Sequence, residues 1–411
     1  MPSCPLVSVL FALVALPALA QTPPTPAPMP TPAPVPTVVA PVAAPVPAPA
    51  VATTPELKPN RTFTIETEVK RTSVKAQGKS GTCWCFATTS YMESELLRLG
   101  KPELGLSEMF VIRHTWPEKA WTYFRMQGVA PWSPGGQAHD WINAVKAHGI
   151  VPREAYTGLA AGETTHSHNE MDAGLKGLLD AAAKGKQPTT KWPAAFSGIL
   201  DAYLGQPPVN FNFQGKSFTP ESFRDSLGLD LDGYVELTSF THHPFGKPFR
   251  LEIQDNWAQD NRYYNLPLEE LEQVMMNALK TGYSFVWDGD VSEKEFNQKT
   301  LGYAYVPKTA EQKNEPNVPE AELDATAELR QASFNDFRTT DDHLMHIVGL
   351  AKDQAGNQFF LTKNSWGNTA TTGPNKGYVY MSRNFVLMKG MAIMVHKKAI
   401  PAAIAAKLGL K

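Results

Sequence analysis

Residues 83–99 (CWCFATTSYMESELLRL) are apolar on every side at their start, and charged residues enter only in the last turns. That pattern predicts a helix with a buried N-terminal end that stops at Gly100. Residues 136–148 carry Trp141, Ile142, Ala144 and Val145 in helical register, and 170–183 and 267–280 read as further helices. Pro267 suits a first helical turn. Between them, 186–265 mixes Pro, Gly and aromatics and predicts loops with short strands. After 281 the period changes. YSFVW (283–287), HIVGLA (346–351), QFFLTKNSW (358–366) and GYVYMS (377–382) read as strands, with a turn at AGN (355–357). The segment 308–330 is polar and acidic, a surface excursion. No internal repeat is visible. Helices early and strands late predict an α+β fold with segregated halves.

The first residues stand apart from that pattern. Pro5 to Ala20 is apolar and uncharged and ends in Ala18-Leu19-Ala20, the form of a secretory leader cut before Gln21. Sixteen residues fall short of the roughly 20 that span a bilayer. The expectation is export to a periplasmic or secreted location, with no transmembrane span left after cleavage. Residues 21–57 are a Pro/Ala-rich tether with no core of their own. Residues 58–400 then form one large domain and 401–411 a short tail. A net charge of −2 and pI near 6.6 give no electrostatic case for nucleic acid or an acidic membrane surface. With the leader gone only Cys83 and Cys85 remain, too few for a disulfide framework.

Those two cysteines lie in QGKSGTCWCFATTS (77–90). A thiol is a nucleophile only as thiolate, which a helix N-terminus and a nearby imidazolium favour. Small residues lead into the helix and put Cys83 in its first turn. Cys85 lies about 200° further round and cannot share a cleft with it, so it is a bystander. A metal clip would need further ligands, and none stands nearby. No metal or organic cofactor is expected. The histidines of THSHNE (165–170) and THHP (241–244) read as surface loop residues, and the aromatics of 257–264 as packing.

Three separated strings then align: Q-x5-C-W at Gln77–Trp84, D-H-x5-G at Asp342–Gly349, and N-S-W-G at Asn364–Gly367. Together they resemble the papain-like cysteine peptidases. The resemblance implies a two-lobed fold, with a helical lobe and an antiparallel β lobe. Cys83 would attack the scissile carbonyl of a peptide substrate. His343 would pair with the thiolate and then protonate the leaving amine. Asn364 would orient the imidazole, and Trp366 would shield that hydrogen bond. The Gln77 amide and the Cys83 N–H would form the oxyanion hole. Trp84 and Trp366 are counted with the substrate-binding residues. His346 is the rival histidine, but its spacing to Gly349 fits less well. Asp341 and Asp342 are either tuning groups for His343 or solvated loop carboxylates.

Within that family, 260 residues separate Cys83 from His343, against about 130–150 in a minimal papain fold. A helical insertion over about 160–280 accounts for the excess. Position 80 is Ser where secreted papain enzymes carry a disulfide cysteine. These features, with GGQAHDWINAVKAHGIVPREAY (135–156), YYNLPLEELEQVMMNALKTGYSFVWDGDV (263–291) and KKAIPAAIAAKLG (397–409), resemble the bleomycin hydrolase and bacterial aminopeptidase C group. Gly135 and Gly136 match the glycine pair whose backbone lies along a bound peptide. The group uses a C-terminal arm to restrict its cleft to amino-terminal residues, and this sequence ends at Lys411, soon after the matching stretch. The resemblance implies an aminopeptidase; the short arm makes an endopeptidase or transpeptidase acting on envelope peptides the alternative, with an inactive peptide-binding module behind it. The group is mostly intracellular and often assembles into hexamers, so a homo-oligomer is implied.

Overall fold

A computed structural model describes residues 60–160, 162–308 and 321–410. The leader, the whole tether, most of the acidic excursion and Lys411 lie outside the described residues. Two apolar cores divide the described chain. One gathers the helices Cys83–Arg98, Glu108–Arg125, Ala138–His148, Asn169–Ala183 and Trp192–Leu204; the other lies behind a large sheet. This is the expected α+β, two-lobed arrangement.

Cys83–Arg98 is buried along all but its last turn. Its two deep carboxylates have partners: Glu93 receives Thr72 Oγ1 and Lys75 Nζ, and Glu95 pairs with Arg98. Buried charges persist only when so compensated. The periodicity did not single out Glu108–Arg125, an 18-residue helix with Pro117 inside it. Proline removes one ladder hydrogen bond and reads as a stop. Burial of Met109, Phe110, Ile112, Trp116 and Ala120 on one face overrides that local signal.

The central strands run in the order Tyr234–Thr238, Gly390–His396, Phe285–Gly289, His343–Asp353, Gln358–Lys363, Tyr378–Ser382, with antiparallel neighbours. Short parallel pairings at either side, Glu236 with Tyr263 and Tyr380 with Tyr303, make the sheet mixed at its margins. The strand Phe63–Glu68 also pairs with His343–Asp353, and a Cβ on Gly349 would meet Thr67 O at 2.6 Å. That close crossing explains the glycine six residues after His343.

The segment expected as the insertion, about 160–280, is shared between the two cores. Asn169–Ala183, Trp192–Leu204 and Pro220–Leu227 are its helices, joined to the first core. Tyr234–Thr238 is a central strand, and Leu268–Lys280 lays Leu271, Val274, Met275 and Ala278 on the second core. The change from the first core to the sheet core falls near residue 230. The chain beyond it belongs to the sheet lobe because its alternating and helical apolar faces match that core.

Candidate active site

The nucleophile helix begins at Cys83, with Thr82 as its N-cap residue. The Thr82 carbonyl accepts from the N–H groups of Cys85 and Phe86. The first-turn amides of Cys83 and Trp84 have no helical acceptor, and that of Trp84 donates toward the sulfur. Cys83 is a free, buried thiol, and the N–H of Leu344 also donates toward it. Leu344 follows His343, so the start of that strand meets the start of the helix at this point.

His343 Nε2 lies 2.8 Å from Asn364 Oδ1, and Asn364 Nδ2 donates to Gln298 Oε1 at 2.7 Å. Since Nδ2 donates elsewhere, Oδ1 is the acceptor and Nε2 carries the proton. Nδ1 is thereby left to exchange a proton with sulfur. Trp366 lies over the imidazole with ring centroids 5.1 Å apart and also meets Phe296. It is 42% exposed, so it shields one side and presents the other to the cleft.

Gln77 is fixed from two directions. Its N–H donates to Ser365 O at 2.8 Å, and its Oε1 accepts from Ser365 Oγ at 2.6 Å. The carbonyl end is thus occupied, which leaves the NH2 end as the side chain's donor. Ser365 is a positioning residue that the motif contained but the sequence reading left without a role. Gln77→Ala should lower kcat by roughly 10²–10³ with KM little changed, as for other oxyanion donors. An equal loss through KM would assign Gln77 to ground-state binding instead.

Burial pushes the Cys83 thiol up to about 12, with Asp255 and Asp341 adding to the rise, while the Leu344 and Trp84 amides oppose it. Burial likewise pushes the His343 imidazolium down to about 4, against the Asn364 hydrogen bond. Neither group would charge alone at neutral pH. Transfer of the proton from sulfur to Nδ1 keeps the pair neutral overall, so the cleft accommodates a dipole rather than an isolated ion.

His346 is fully buried, with Nδ1 2.8 Å from Ser90 Oγ on the nucleophile helix. It faces away from His343 and is a packed, hydrogen-bonded histidine. Cys85 Sγ donates to Glu108 O at 3.3 Å within the helical core, a bystander as read.

A family model for the Peptidase C1-like family matches residues 123–410. The chain belongs to that family. The matched stretch holds His343 and Asn364, while Gln77 and Cys83 precede it. Aminopeptidase G of Lactobacillus delbrueckii subsp. lactis is 25% identical over 381 residues, covering 82% of this chain and 84% of that protein. Aminopeptidase C of Streptococcus thermophilus is 24% identical over 388 residues, 83% and 84% of the two chains. The crystal structure of PepW from Lactobacillus rhamnosis superposes with a TM-score of 0.68 at 20% identity, over 84% of each chain. At that identity it is the fold that is shared.

Gly135 and Gly136, expected to form the upstream wall of the cleft, lie between Asp255 and Trp84. Trp84 does not face the cleft as expected: it is fully buried beneath the glycines, with Nε1 donating to Pro134 O at 3.1 Å. A Cβ on Gly136 would meet the Trp84 ring at 3.0 Å. Its part is to hold the wall. Above it runs the loop 250–262, whose buried Trp257 donates to Asp140 Oδ2 at 2.8 Å, so the aromatics there do pack.

Asp341 is not a solvated loop carboxylate. Gln137 Nε2 donates to it at 3.1 Å, and burial, with Asp255, raises it to about 7. Behind the wall, His139 lies 2.8 Å from Glu236. Burial alone would lower the His139 imidazolium, but Glu236 and Asp140 outweigh it and raise it to about 9. That exceeds the ordinary value of about 6.5. The pair's stabilisation is therefore complete below about pH 6.5 and lost as pH rises through about 9. Wild type should lose ~3 kcal/mol more than His139→Gln between pH 6 and pH 10 in denaturant unfolding. Parallel pH curves would sink this.

One histidine reading changes and the other stands. His166 and His168 are buried, with His166 ring against ring with Phe86 and His168; apolar neighbours distant in sequence cover them. His242 and His243 are partly exposed and share the Glu252 carboxylate, and the three ligand atoms lie within 4.8 Å of one another. Those three could hold a metal ion. Among the described residues no helix is long and apolar enough to cross a membrane.

Proposed function

We propose that this protein is a cysteine aminopeptidase of the C1-like family, releasing amino-terminal residues from peptides through a Cys83 acyl-enzyme. The observation that carries the chemistry is the His343–Asn364 hydrogen bond set beside a thiol at a helix N-terminus. Cys83 Sγ adds to the scissile carbonyl as its proton passes to His343. The oxyanion is held by the Cys83 N–H and Gln77 Nε2. His343 then protonates the departing amine, and water attacks the thioester with the same imidazole as base. Relatives named aminopeptidase G and aminopeptidase C support the amino-terminal restriction. So does the Asp255 side chain lying on Gly135, where an upstream peptide would run.

The test is hydrolysis under reducing conditions of an aminoacyl amide with a free α-amine against the same substrate acetylated. Preference of at least 10-fold for the free amine is expected. Equal cleavage would make this an endopeptidase on an aminopeptidase scaffold. The reading extends to export, carried by the sequence of residues 1–20, and to a homo-oligomer, carried by the resemblance. Cell fractionation and sedimentation of the purified enzyme check these.

A further inference from the structure

The upstream end of the cleft closes on carboxylates. Asp255 is seated on Gly135 so tightly that a Cβ there would meet its Oδ2 at 1.9 Å. Asp341 lies two residues before the catalytic histidine, and Asp288 stands opposite Leu344 in the adjoining strand. Asp255 and Asp341 both bear on the Cys83 sulfur, and both bear on Asp288. The three thus occupy one place, next to the nucleophile and on the side of the glycine wall.

Their donors do not match their acceptors. Ser133 Oγ reaches Asp255 Oδ1 at 2.9 Å, and Gln137 Nε2 reaches Asp341 Oδ2. Lys119, the buried cation behind the wall, has its Nζ 2.6 Å from Gly135 O. Asp288 is 3% exposed, yet neither of its oxygens meets a donor, nor does Oδ1 of Asp341. The two carboxyls stand side by side: burial and Asp341 push Asp288 up, while Asp288 itself pulls Asp341 down. Buried acceptors left this way are rare and call for a partner.

We propose that Asp255, Asp288 and Asp341 bind the α-ammonium of the peptide substrate and thereby set the cut one residue from the amino terminus. This rests on the aminopeptidase reading and gives it a recognition site within the described residues. An ammonium brings three donors and one positive charge to a cluster in which both Asp288 oxygens and Asp341 Oδ1 lack a donor. Its nitrogen is only about 2.5 Å from the scissile carbonyl carbon, given N–Cα and Cα–C bonds of about 1.5 Å. Carboxylates that hold it must therefore be close enough to act on the thiol, as Asp255 and Asp341 do. An acetylated or internal residue would bring no charge and would run into Asp255.

The experiment uses the full chain under reductant, with three fluorogenic substrates: leucyl amide, acetyl-leucyl amide and acetyl-arginyl-leucyl amide. Wild type should prefer the free amine strongly over both blocked forms. Asp288→Asn and Asp255→Asn should each lower kcat/KM on leucyl amide at least 10-fold, mainly through KM. Each should also shrink the free-to-blocked ratio by at least 10-fold. Asp255 lies on a loop, so its variant decides the matter if the buried Asp288 variant fails to fold. An unchanged ratio in the folded variants overturns this site and leaves the aminopeptidase standing. Wild-type preference for acetyl-arginyl-leucyl amide over leucyl amide overturns it too, by making the carboxylates a pocket for a cationic side chain. Equal cleavage of free and blocked leucyl amides overturns both readings at once.

Discussion

Replacing Cys83 by alanine should remove peptide hydrolysis, by roughly 10⁵–10⁶-fold in kcat, because no other group at the site can form the acyl bond. Cys85→Ala is the control two residues away. Its sulfur touches Glu108 O and Thr89 inside the helical core. Losing it should cost about 1 kcal/mol of stability and leave turnover within about threefold. The pair is informative because both thiols are buried, both are pushed up by burial, and only one stands at the helix start beside Leu344 and His343. Active-site titration with a thiol-directed epoxide, followed by peptide mapping, gives the same answer without mutation: label should appear on Cys83 alone. Equal loss of activity in both variants would remove the nucleophile assignment.

The second large effect is at His343. His343→Ala deletes both the proton acceptor and the donor to the leaving amine, and kcat should fall by roughly 10⁴-fold or more. His346→Ala should do something else. It empties a space in the packing between the sheet and the nucleophile helix and strips Ser90 of a hydrogen bond. The expected cost is about 2–4 kcal/mol in denaturant unfolding. Turnover per folded molecule should be kept within a few-fold. The two readouts are therefore crossed, one variant failing in rate and the other in stability. Reversed roles would move the base to position 346.

The proposed catalytic set was legible because each member sits in a short local string whose element is also locally determined. Cys83 opens an apolar helix, His343 opens a β-branched strand, and Asn364 follows one. The fold class was legible for the same reason, from the change of apolar period near residue 281. What was not legible depended on tertiary contacts. The helix through Pro117 is decided by its buried face, not by its local preference. The place of Tyr234–Thr238 in the central sheet depended on its finding Gly390–His396 about 155 residues on. The carboxylate cluster joins residues 255, 288 and 341, which no spacing rule connects. One clue was present: Asp288 interrupts the apolar run FVW of a central strand, and a carboxylate there calls for an explanation.

The pairing of Phe63–Glu68 with His343–Asp353 has a consequence for the life of the nascent chain. The strand that leads into the nucleophile helix emerges from the ribosome long before its partner exists. At about 5–20 residues per second, Cys83 precedes His343 by roughly 13–52 s. Through that interval the polypeptide holds a thiol with no base, and Gln77 lacks the Ser365 that orients its amide. Peptidase competence is therefore postponed to the close of translation by topology alone, with no inhibitory segment required for the delay.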